Sequence, residues 1–193
     1  MRPFARLAAA AVILVAATAC SAPEPAPSPS PTTPTTGSPE PEGDDALAQQ
    51  CANDRFSLSY PSGWVTNSET AGSLPPCSLF DPDDVAVEPG TEVPLDIAFL
   101  VRVTQGPFEG DDAGDTAEEL SRQELTIDGR RAARVELRAT GEGLYPAGTL
   151  TTLYKVDLGD EVLLATTHDA GAPSYEAKQD LLADMMATLR VTG

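Results

Sequence analysis

The chain has 193 residues, with 30 acidic side chains against 12 basic ones and a single histidine, giving a formal net charge of −18. Nucleic-acid binding needs a basic footprint, and so does charge-driven adhesion to anionic lipid, so the composition argues against both. The excess of negative charge favours solubility, and with aromatics at 5% the core must come mainly from Val, Leu and Ala.

Three compositions follow one another along the chain. Arg2 and Arg6 precede an apolar stretch from Leu7 to Ala16, and the small residues Ala17, Thr18 and Ala19 come next. This is the layout of a cleaved export signal over residues 1–19, too short to span a bilayer stably. Cys20 follows directly, and the junction resembles the lipobox of bacterial lipoproteins, in which the Cys receives a diacylglyceryl group and becomes the mature N-terminus. Ala17 stands where that family usually has Leu. The other reading is a secretory peptide with an incidental Cys, but a polar spacer starting at once favours the lipoprotein. The resemblance implies a protein held on the extracytoplasmic face of the cell membrane, each buried acyl methylene contributing ~0.8 kcal/mol. No second long apolar run follows, so no transmembrane helix is expected.

Residues 20–46 comprise this Cys and a tether. Residues 21–46 carry eight prolines, among them Pro23, Pro25, Pro27, Pro29 and Pro31, with Ser and Thr between them. Such a segment buries too little apolar surface to offset its ordering entropy. Alternating Pro favours an extended polyproline conformation, with a reach of up to about 80 Å. Thr32, Thr33, Thr35 and Thr36 beside prolines suit either an unmodified spacer or an O-glycosylated stalk.

Residues 47–193 form one expected globular domain, of a size that can build a core. With Cys20 assigned to lipid, Cys51 and Cys77 remain as a disulfide pair for an oxidising compartment. A redox pair would need closer spacing such as C-x-x-C.

Phe56 to Tyr60 alternates as a strand, and Pro61-Ser62-Gly63 turns it into Trp64-Val65. Ser68 to Pro76 reads as a loop, Ser78 to Phe80 as a short strand, and Asp81 to Gly90 as an acidic loop. Leu95, Ile97, Phe99, Val101 and Val103 alternate strictly and predict a strand. Thr116 with Glu119 three residues on fits a capping box, so a helix is expected to run to about Arg122. Glu124–Ile127 and Arg130–Thr140 predict a hairpin around Asp128-Gly129, the favoured type I′ pair. Gly141-Glu142-Gly143 breaks the chain. Thr149–Leu158 and Glu161–Thr167 predict a second hairpin around Gly159-Asp160. Ser174 caps a final helix from Tyr175 to Leu189, with Leu181, Leu182, Met185 and Leu189 at helical spacing. Several strands are apolar on both faces, as at Phe99, Leu100 and Val101, so the sheet needs cover on both sides. An α+β architecture follows, an antiparallel sheet sandwiched between helical layers.

The run Phe56-Ser-Leu-Ser-Tyr-Pro-Ser-Gly-Trp64 resembles the opening strand and turn of the PsbP-like fold. Ile127-Asp-Gly-Arg-Arg-Ala-Ala-Arg-Val135 is similar to the central hairpin of LpqN-type cell-envelope lipoproteins, which use that fold. The closing strand and helix, ending Ala-Thr-Leu-Arg-Val191, also fit. The resemblance spans most of residues 51–193. It implies an α/β/α sandwich and a non-enzymatic accessory or binding role, and it transfers no catalytic residue.

The sequence holds no G-x-S-x-G, H-E-x-x-H, P-loop or G-x-G-x-x-G motif. His168, just after a strand, is expected in a surface turn rather than as a general base. Asp81, Asp83, Asp84 and Glu88 cluster in one loop and Asp111, Asp112 and Asp115 in another. Neither has EF-hand spacing, and no metal or cofactor is expected. Arg130, Arg134 and Arg138 share one strand face as a stripe for an anionic group or acidic partner, or else pair with carboxylates such as Glu136. The functional expectation is a membrane-anchored module that binds an envelope protein. A carrier of a lipid or other apolar ligand is the second reading and a hydrolase the third. Replacing Cys20 by Ala is expected to release the protein to the medium or leave it unprocessed, and unchanged detergent partitioning of that variant would refute lipidation.

Overall fold

The computed structural model describes residues 47–85, 87, 96–171 and 173–192. The signal segment, the tether, Glu88 and Leu95 lie outside the described residues. Two antiparallel sheets are present. The smaller joins β1 (Gln49–Ala52), β2 (Phe56–Tyr60) and the C-terminal β10 (Arg190–Val191), with β2 in the middle. The larger has seven strands: β3 (Val65–Thr66), β4 (Leu79–Asp81), β5 (Phe99–Gln105), β6 (Ala117–Ile127), β7 (Arg130–Ala139), β8 (Leu150–Asp157) and β9 (Glu161–His168). Their spatial order is β3-β4-β5-β9-β8-β7-β6. Among the described residues there is one helix, α1 (Tyr175–Thr188).

The hairpins form for the reasons legible in the sequence. Ile127 pairs with Arg130 across Asp128 and Gly129, whose φ angles of +49° and +73° are those of a type I′ turn. The β8–β9 loop closes on Asp157, whose Oδ1 accepts the amide N–H of Gly159 at 2.8 Å. Ser174 caps α1 by accepting from the Ala177 amide.

The expected sandwich between two helical layers is not what forms. The segment expected as a helix from Thr116 to Arg122 is the first half of β6. A capping box is a local signal, and here a ladder outweighs it. Residues from Ala117 to Ile127 pair with β7 along its length. The Thr116 carbonyl accepts the Thr140 amide at 3.0 Å, which closes the open end of that hairpin. The strand predicted from Leu95 begins at Phe99, although Ile97 and Ala98 are already buried.

Register places Phe80, Phe99, Val101, Leu163, Ala165, Tyr154 and Val156 on one face of the large sheet. Leu182, Met185 and Met186 of α1 pack on it together with Leu189, and so do Phe56, Leu58 and Tyr60 of β2. Trp64 stacks on Phe99 at 5.2 Å between centroids. The opposite face carries Ala133, Val135, Leu137, Leu153 and Val162, and its cover is the loop of residues 106–116, which lays Phe108 and Ala113 on it. Asp112 fastens that loop. Its Oδ1 receives the Lys155 ammonium at 2.6 Å and its Oδ2 the Arg122 guanidinium at 2.7 Å. The Lys155 and Asp112 side chains are 6% and 10% exposed.

Cys51 and Cys77 form the expected disulfide, with Cα atoms 5.7 Å apart. It joins β1 to the end of the Pro75-Pro76 loop, and Asn53 reinforces the junction by donating to the Pro76 carbonyl at 2.8 Å. Asn67 organises the same loop. Its Oδ1 accepts from the Ser78 and Leu79 amides and its Nδ2 donates to the Glu69 and Pro75 carbonyls.

Removing one member of a buried ion pair strands the other charge, so Asp112→Ala is expected to lower stability by about 3–5 kcal/mol. The double variant Asp112→Leu/Lys155→Met should regain most of it. Urea unfolding midpoints of the two variants provide the check, and a single variant as stable as the parent would deny the loop this role.

Candidate functional site

The helix packs on the sheet in two unlike halves. Its C-terminal half is apolar. Its N-terminal half meets a row of polar side chains on β7, β8 and β9, where Glu136, Thr152 and Thr167 lie side by side. Gln179 Nε2 donates to Thr152 Oγ1 at 2.7 Å and to Glu136 Oε1 at 3.2 Å. The Tyr175 hydroxyl meets Thr152 Oγ1 at 2.9 Å. Glu136 Oε1 also receives Arg134 at 3.0 Å. These bonds fix how α1 is rotated and where it begins on the sheet.

An open groove of about 290 Å³ lies between α1 and the β6–β7 hairpin. Leu125, Ile127, Met186 and Ala183 give it apolar walls, while Ala187, Gln123 and Thr126 form its exposed rim. Arg134 and Tyr154 supply its polar groups. Arg134 Nε is buried without a hydrogen-bond partner. Burial pushes the Tyr154 hydroxyl pKa up, Arg134 opposes this, and Asp184, Asp180 and Glu136 add to the rise. The groove therefore sits among carboxylates.

The arginine stripe is where the spacing put it, on β7. Arg134 pairs with Glu136 and Arg138 reaches Glu118 at 3.6 Å, while Arg130 makes no ion pair among the described residues. Of the acidic loops, Asp81 accepts the Asp83 and Ala98 amides, Asp111 accepts those of Ala113 and Gly114, and Asp112 holds Lys155 and Arg122. Among the described residues no three His, Cys, Asp or Glu side chains come together as a metal-holding group. No helix there is long and apolar enough to cross a membrane.

His168 differs from its expected surface turn. It ends β9 at 7% exposure, because Tyr145 folds over it from the 140–149 loop. Nε2 meets the Tyr145 hydroxyl at 2.7 Å and Nδ1 meets Thr151 Oγ1 at 2.8 Å. Burial lowers its pKa to about 4, Lys178 lowers it further and Asp169 opposes. Both ring nitrogens are thus engaged by hydroxyl groups, those of Tyr145 and Thr151. Lys178 is fully buried as well, and its ammonium donates to the Ala170 carbonyl. Burial lowers its pKa against the pull of Asp169 and Asp81. The sequence reading missed Lys178, although the spacing of 178, 182, 185 and 189 puts it on the buried stripe of α1.

No protein-family model matches the chain, and neither does any curated protein. Among solved structures it is similar to the solution structure of cyanobacterial PsbP, CyanoP, from Synechocystis. The identity is 14% and the TM-score 0.45, over 81% of this chain and 98% of that one. It is also similar to a crystal structure from Bacteroides thetaiotaomicron, at 19% identity and a TM-score of 0.40, over 72% of this chain and 45% of that one.

The folded protein binds the His168 proton near pH 4, whereas an unfolded histidine binds it near pH 6.5. Between those values the unfolded state holds more protons, so stability is fully present above pH 6.5 and falls as the pH drops towards 4. The loss attributable to His168 is on the order of 2–3 kcal/mol. Urea unfolding at pH 7 and pH 4.5 is expected to show a larger loss for the parent than for His168→Gln. Equal losses would assign the effect to other groups.

Proposed function

We propose that this protein is a PsbP-like lipoprotein of the LpqN type, anchored through Cys20 on the extracytoplasmic face of the cell membrane. It acts as a non-enzymatic module that binds another envelope protein. The observation behind the reading is the open groove beside β6, the edge strand of the large sheet, with Leu125, Ile127 and Met186 in its walls. His168, the one histidine of the chain, is buried with its pKa lowered to about 4, far from the value near neutrality that suits a general base. The Pro-rich segment before Gln49 supplies reach.

Carriage of an apolar ligand is the second reading, favoured by the groove's Leu, Ile and Met walls. Small-molecule sites bury most of the ligand, in roughly 300–1,000 Å³. The groove, at about 290 Å³ and with an exposed rim, suits a side chain presented by another protein better than a whole lipid.

The Cys20→Ala chain recovered from the medium with its leader removed carries neither acyl group nor apolar leader, so any apolar adduct must come from what remains. Native mass spectrometry of that chain is expected to give the mass of the polypeptide alone, with no turnover of common ester substrates. A stoichiometric adduct released on denaturation would put the carrier reading first.

A further inference from the structure

β6 is the terminal strand of the large sheet and pairs with β7 alone, so its outer backbone edge carries no strand among the described residues. An edge of this length usually has its unpaired amides and carbonyls hidden or broken up. Here a bulge between Glu119 and Ser121 interrupts it, leaving Leu120 without a partner on β7 and 39% exposed, and the charged side chains of the strand are Glu118, Glu119, Arg122 and Glu124. From Ser121 to Ile127 the ladder is regular and free of proline. That regular stretch is the part that walls the groove, through Gln123, Leu125, Thr126 and Ile127.

On the helix side of this groove the unpaired charges are acidic. Asp180 and Asp184 are exposed on α1, on the same ridge as Ala183 and Ala187, and make no ion pair among the described residues. On the strand, Glu118, Glu119 and Glu124 each meet an arginine, Arg138, Arg122 and Arg131 in turn, so among the described residues the unpaired carboxylates beside the groove are the two on α1. A second copy of the chain is a poor occupant. Antiparallel self-pairing about Ser121 sets Glu118 opposite Glu124 at both ends, and like charges directly opposite destabilise a ladder.

We propose that β6 is a docking edge for an extended, basic polypeptide segment, a proposal that rests on the binding-module reading. The segment adds a strand along Ser121–Ile127, seats an aliphatic side chain in the groove, and turns lysine or arginine side chains towards Asp180 and Asp184. Backbone pairing supplies affinity while the groove and the two aspartates supply selectivity.

The test uses the Cys20→Ala chain and a labelled, end-blocked peptide, Thr-Lys-Thr-Val-Thr-Lys-Thr, whose valine and two lysines share one face of an added strand and so reach the groove and the two aspartates together. Binding is expected to weaken with added salt and to slow amide hydrogen exchange within Ser121–Ile127. Ala187→Phe, which fills the groove from an exposed helix position, should reduce affinity at least tenfold. Asp180→Asn/Asp184→Asn should flatten the salt dependence. The same peptide with proline for the valine and for the threonine on either side of it lacks donors towards either edge at its centre and should not bind. Absence of binding by the parent peptide overturns the proposal, and so does binding that Ala187→Phe and the prolines leave unchanged. Peptide protection elsewhere on the domain removes the edge but leaves the binding-module reading standing. A lipid adduct seated in the groove, lost in Ala187→Phe, removes both.

Discussion

A sheet that is apolar on both faces has to be covered twice, and in this protein the two covers are of different kinds. On one face α1 and the small sheet bring Leu182, Met185, Met186 and the β2 aromatics into one core with Phe80 and Phe99. On the other face a loop does the work of a helix. A loop has unpaired backbone and few apolar groups, so it stays down only if something fixes it. Here Phe108 supplies the apolar contact and Asp112 the charge, meeting both Lys155 and Arg122. Lys155 is tolerated among buried residues because Asp112 is there, and the loop is held because Lys155 is there.

The helical cover is equally specific. Its apolar half would slide on a smooth sheet, since burial is roughly proportional to area and indifferent to direction. The polar row of Glu136, Thr152, Gln179 and Tyr175 removes that freedom, because each bond has a geometry. Lys178 adds a further point at the turn after β9. The groove lies at the other end of α1, where Ala183, Met186 and Ala187 face β6.

The parts of this fold that were legible in the sequence are those set by neighbours in the chain. Asp128-Gly129 specifies its own turn, Ser174 its own cap, and the alternation from Phe99 to Val103 its own strand. Cys51 and Cys77 were paired by elimination rather than by geometry. Where sequence reasoning failed, a distant partner decided. Thr116 to Arg122 has a helix's opening residues, yet the strand it pairs with, β7, was plainly recognisable, and the length of that strand was the missed signal. β10 has two residues and exists only because β2 offers an edge. His168 looked like a turn residue because nothing local announces that Tyr145 will close over it. The groove had no signature at all, since β6, β8 and α1 assemble it from opposite ends of the domain.

The small sheet carries a mechanical implication. The chain leading to the domain arrives at β1, and Cys51 comes after only Gln49 and Gln50 in that strand. A pull on the N-terminal segment can peel those two residues from Tyr60 and Ser59, and then meets a covalent bond to Cys77. Past that point the load bypasses the rest of β1 and enters the Asn67 loop, whose carbonyls and amides are tied to one another by a single side chain. The disulfide thus works as a strain relief, keeping traction on the segment before Gln49 from unzipping the sheet that holds both ends of the described fold.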